Sequence, residues 1–145
     1  MKKFLVALVA MFAVTAVSAQ ISNVGVRFDG GASITAQYDL SKTNHVDARV
    51  RFGGGLTSVT GIYNYSLETF NWTPSLGKWF LDAGFGANVG FAQGYTSFAV
   101  LGSASLGIKF NDAPVSVTFD LEPTLNLSGV TGFGVGSGVS IAYHF

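Results

Sequence analysis

From Gln20 to the end of the chain, apolar residues recur at every second position, and the pattern restarts about every 8 to 13 residues at clusters of Gly, Asn, Asp, Ser or Pro. Successive side chains of a strand point to opposite faces, whereas a helix repeats every 3.6 residues, so this alternation specifies strands. Eight are predicted, over residues 20–29, 33–40, 45–53, 59–70, 80–92, 99–110, 115–127 and 135–145. Polar turns at 41–44, 71–79 and 111–114 fall at one end, and turns at 29–31, 54–58, 93–98 and 128–134 at the other. An even strand count returns the last strand to the side of the first. No linker or charge block interrupts the series.

The two faces of each strand differ in kind. In the seventh, Val115, Val117, Phe119, Leu121, Leu125 and Leu127 share one face, and Ser116, Thr118, Asp120, Glu122, Thr124 and Asn126 the other. The third sets Val46, Ala48, Val50 and Phe52 against His45, Asp47, Arg49 and Arg51. In the last, Val135, Val139, Ile141, Tyr143 and Phe145 oppose Gly136, Gly138, Ser140, Ala142 and His144.

A closed barrel can use this pattern in two ways: a lipocalin-like barrel buries the apolar faces around a ligand, and a membrane barrel turns them to lipid. Glycine and charge choose between them. Gly84, Gly86, Gly90, Gly107, Gly136 and Gly138 all fall on the polar face, where a crowded interior rewards missing side chains. Charged residues make up only 11% of the chain beside 48% hydrophobic ones, whereas a soluble exterior is roughly a quarter charged. The expected fold is therefore all-β, an eight-stranded antiparallel up-and-down transmembrane barrel.

Residues 1–19, MKKFLVALVAMFAVTAVSA, have the layout of a cleaved signal peptide: two lysines, a short apolar run and a small-residue end. They are set apart from a barrel domain spanning 20–145. Without Lys2 and Lys3, six basic residues stand against eight acidic ones, a net charge of −2 that gives no footprint for nucleic acid. Cysteine is absent, so no disulfide or acylated cysteine contributes.

With the polar faces inward, Arg27, Arg49, Arg51 and Lys109 share the lumen with Asp29, Asp39, Asp47, Glu68, Asp82, Asp120 and Glu122. Buried charges need partners or water, so an ionic network is expected there. Outward aromatics fall into two belts, Tyr38, Phe70, Trp72, Trp79, Phe110 and Phe145 toward the tight turns and Phe28, Phe52, Phe91, Tyr95, Phe98 and Phe133 toward the opposite end.

The signal, the eight alternating strands and the terminal AYHF together resemble the small bacterial outer-membrane β-barrel proteins of the OmpA membrane-domain and OmpX type. The resemblance covers residues 20–145 and implies a monomer in the bacterial outer membrane, in contact with its lipids. It also implies that Tyr143 and Phe145 are read by the outer-membrane assembly machinery. The chain departs from that family in having short Gly-rich turns where long extracellular loops are usual.

Catalytic and metal motifs are weak. His45 and His144 are the only histidines, and both fall near the tight-turn end, where hydrogen-bonded rim residues are expected. A Ser140/His144 pair imitates the catalytic groups of lipid-modifying barrels, but i, i+4 along a strand spans roughly 13 Å. The stretch GFGVGSG around Gly132 lacks the following helix that a phosphate loop needs. Asp82 and Asp120 lack the converging oxygens of a calcium site. No cofactor or metal is expected. The leading expectation is a structural, non-enzymatic barrel with a plugged polar lumen; a narrow porin-like channel and a barrel binding lipid or a small apolar ligand are the alternatives.

Overall fold

The computed structural model describes residues 21–53, 56–92, 94–128 and 132–145. The predicted signal peptide and Gln20 lie outside them. Eight strands run in chain order: β1 (Ile21–Phe28), β2 (Ala32–Asp39), β3 (Asn44–Gly53), β4 (Leu56–Phe70), β5 (Gly77–Ala92), β6 (Tyr95–Phe110), β7 (Val115–Asn126) and β8 (Gly132–His144). Each pairs antiparallel with its sequence neighbour, and β8 closes on β1. The closing register sets Asn23 opposite His144 and Phe28 opposite Val139.

The eight predicted strands are all present, but β4, β5, β6 and β8 begin three or four residues earlier than the sequence signals suggest. The predicted turns 54–58, 71–79, 93–98 and 128–134 lose those residues to the strands, and 54–55, 93 and 129–131 lie outside the described residues. The residues reclaimed are mostly Gly, Ser, Thr and Tyr, and the inner face of a narrow barrel selects the same small polar side chains that mark turns elsewhere. Gly94 keeps a left-handed φ of 72° between β5 and β6, and Gly30 one of 89° between β1 and β2. Such a backbone is strained for other residues.

The register sorts the faces. Arg27 lies across from Ser33 and Ser140, and Arg49 from Thr35 and Thr60. Asp82 lies across from Ser66 and Ser105, and Asp120 from Ser105 and Gly138. These rows point inward. Val26, Ile34, Val50, Phe85, Phe119 and Ile141 stand on the alternate rows and face out. The core is thus polar: Arg27, Asn64, Asp82, Asp120 and Glu122 are buried, while Phe85 is 68% exposed and Phe133 73%. Most apolar side chains lie outside, opposite to the arrangement that an apolar-ligand barrel requires.

Three irregularities interrupt the wall, the first a register shift between Ile21 and Asn23 where β1 meets β2. A bulge between Ser66 and Glu68 puts Ser66 across from Asp82 but Glu68 across from Leu81, reversing the phase of the last residues of β4. Between β6 and β7 the register passes from Leu101 opposite Thr124 to Ala104 opposite Leu121, with Gly102 and Ser103 unpaired on that side. Pro123 sits at the gap and has no N–H to donate.

Candidate functional site

The inner rows of β1, β3 and β7 bring six of the expected lumen charges into one connected layer. Arg27 donates to both carboxylate oxygens of Asp120, from Nε to Oδ2 at 3.0 Å and from Nη2 to Oδ1 at 2.7 Å. Its Nη1 bonds Asp29, and its Nη2 is 3.5 Å from Glu122 Oε2. Glu122 in turn accepts from Arg49, and Arg51 reaches Asp29 at 3.3 Å. Glycine makes room for this layer: a Cβ on Gly138 would stand 2.6 Å from the Arg27 guanidinium.

A second cluster lies nearer the tight-turn end. His45 Nε2 is 3.8 Å from Asp47 Oδ1 and 3.7 Å from Asp82 Oδ2. Asn64 donates from Nδ2 to Asp47 Oδ2 at 2.8 Å. At the rim, Asn23 donates to Gln37, and Gln37 and Ser22 donate to Asp39.

Three expected lumen residues are placed differently from these. Glu68 is exposed and, past the bulge, in register with the outward Leu81, so it stands outside the network; the sequence count could not register the inserted residue. Asp39 and Lys109 belong to inward rows but are exposed at the mouth. His144 meets Ser116 at 2.7 Å on the neighbouring strand, so its hydroxyl partner is not Ser140. Tyr95, expected in the outer aromatic belt, shares a row with Ala92 on the inward phase at the rim.

Some apolar residues enter the lumen unannounced. Ile62, fully buried, lies across from Asp47 and Gly86, and Leu101 across from Gly86 and Thr124. Phe80 also points inward, since a Cβ on Gly107 would press on its ring. Strict alternation from Asn64 and Asp82 would have placed Ile62 and Phe80 inside; their apolar character concealed it.

The ionic layer divides the lumen. On the tight-turn side a cavity of about 270 Å³ is lined by His45, Asp47, Asp82, Lys109 and a set of serines and threonines. On the other side a cavity of about 130 Å³ is lined by Asp29, Arg51, Ser58, Thr60 and Asn88 among others. Arg49 borders both.

No protein-family model matches this chain, and neither does any curated protein. Solved structures do. The N-terminal β-barrel domain of OprF from Pseudomonas aeruginosa superposes with a TM-score of 0.57 at 12% identity, covering 86% of this chain and 96% of that one. The chain shares the fold of the OprF barrel domain. Neisserial surface protein A is also similar, with a TM-score of 0.48 at 17% identity over 86% of this chain and 94% of its own.

Proposed function

We propose that this chain is an integral protein of the bacterial outer membrane whose barrel has a structural, non-catalytic role and a lumen closed by ion pairs. One observation carries the reading: the molecule is inside out. Arg27 is 4% exposed and Asp120 2%, while Val135, Phe28 and Ile141 stand open on the exterior. In water, such an apolar exterior would be a large aggregation-prone patch; in hydrocarbon it is the lipid-facing band of a barrel whose backbone bonds are closed on themselves. The OprF likeness supports the same reading at the level of fold.

The aromatic residues at the end of β8 fit recognition during assembly. Tyr143 and Phe145 contact edge to face at 5.5 Å and are both exposed. The family resemblance supports reading them as the residues that the assembly machinery engages.

The experiment is single-channel recording of the refolded protein, with heat-modifiable gel migration on the same sample to report barrel formation. A folded, silent protein is the expected result; discrete conductance steps would instead establish a narrow pore. The pore reading draws its support from the two cavities, which meet at a partition only side chains thick.

A further inference from the structure

We propose that the larger lumen cavity binds a small primary ammonium cation, with the carboxylates of Asp82 and Asp47 as its acceptors. The two side chains project from the adjacent-but-one strands β3 and β5 into the same space. Asp82 is 6% exposed and its Oδ1 has no hydrogen-bond partner within the protein. Asn64, on the strand between them, is 3% exposed, and its amide oxygen is also without a partner. A buried acceptor left unpaired is costly, and an unpaired carboxylate more so.

Two of the chain's own cations are committed elsewhere, and Lys42, which also lines the cavity, is exposed in the turn after β2. Arg27 and Arg49 are held by Asp120 and Glu122. Lys109 lines the cavity at its mouth, four residues along β6 from Ser105, the residue opposite Asp82; that spacing corresponds to roughly 13 Å along the strand. His45 is nearer, but its Nε2 stands 3.8 and 3.7 Å from the two carboxylates, beyond hydrogen-bond length to either.

The chemistry of the ligand follows from the acceptors. Among the described residues no three acidic or imidazole groups converge as metal ligands. Oxygen acceptors on neighbouring strands instead suit a cation carrying several N–H donors. The serine hydroxyls of Ser66, Ser103 and Ser105 in the same wall can rotate to accept as well. A volume of about 270 Å³ holds methylammonium or a short alkylamine with attendant water.

The test is a titration of the refolded, ¹⁵N-labelled protein in micelles with methylammonium chloride at constant ionic strength. Saturable shifts at the Ser66, Asp82 and Ser105 amides are expected, weakened at least tenfold in Asp82→Asn and unchanged in Asp112→Asn, an exposed turn residue. Tetramethylammonium, equally charged but without N–H groups, is expected to produce none of them. Equal response to tetramethylammonium, absence of saturation, or full binding by Asp82→Asn would each overturn the proposal. So would ¹⁵N shifts showing a doubly protonated His45 ring in the unliganded protein, because the cation would then be internal. If Asp82→Asn does not fold, Asp47→Asn and the two-cation comparison on the unaltered protein decide.

Discussion

Arg27 on β1 holds Asp120 on β7 through two parallel hydrogen bonds that pass over Gly138 of the intervening strand β8. The pair therefore ties together three strands that include the closing seam between the chain's first and last elements. Removing one partner leaves the other charge buried, which typically costs about 3–5 kcal/mol. Arg27→Ala and Asp120→Ala are each expected to lower the midpoint of urea unfolding, followed by gel mobility. The combined Arg27→Met/Asp120→Leu variant should recover much of the loss.

The two arginines of β3 separate a buried ion pair from an exposed one. Arg49, with its side chain 11% exposed, is bonded to Glu122, whereas Arg51 is 38% exposed against Asp29 at the far end of the lumen. Arg49→Ala should destabilise by several kcal/mol, and Arg51→Ala by at most about 1 kcal/mol. Equal losses in the same unfolding assay would contradict the layer as described.

Arg49 and Glu122 also form part of the partition between the cavities. Truncating both to alanine removes their charges together and should join the two spaces. Discrete conductance steps are expected in planar bilayers from this double variant, where the unaltered protein is silent.

Gly61 on β4 and Gly86 on β5 stand one register position apart, opposite Ala87 and Ile62 respectively, and point to opposite environments. A Cβ on Gly61 meets nothing within 4 Å, whereas one on Gly86 would collide with the backbone carbonyl of Gly61 and stand 2.8 Å from the Cα of Ile62. Gly61→Ala should leave refolding yield unchanged. Gly86→Ala requires the wall itself to shift and should reduce stability by about 1–3 kcal/mol.

The gap between β6 and β7 predicts local weakness. With Gly102 unpaired on that side, its amide should exchange with solvent hydrogen faster than that of Ala104, the next residue of β6 to face β7. Pro123→Val restores a donor and is expected to slow that exchange and add about 1 kcal/mol of stability.

Class and strand number were legible because this barrel writes its inner and outer environments onto alternate residues. The seventh strand shows this most clearly, with carboxylates and hydroxyls at even positions and Val, Phe and Leu at most odd ones. Ionic partners were less legible. Arg27 and Asp120 are 93 residues apart in sequence, and only the closing register brings them into one layer. Glu68 was misplaced because a bulge changes phase without changing composition. Ile62 and Phe80 went unnoticed because a small barrel's interior is chosen for fit as well as polarity.

The wall is of unequal height. β2 has 8 residues, and β5 and β6 have 16 each. At roughly 3.4 Å per residue and a tilt near 40°, β2 rises about 21 Å along the barrel axis and β5 about 42 Å. A lipid-facing band is about 25 Å tall, so β2 is short of it while β5 stands well clear. In the outer-membrane setting proposed for the chain, lipid beside β2 must thin or the barrel must lean to keep that flank covered. The surrounding bilayer would then be deformed on one side only, giving a round protein a preferred direction among its neighbours.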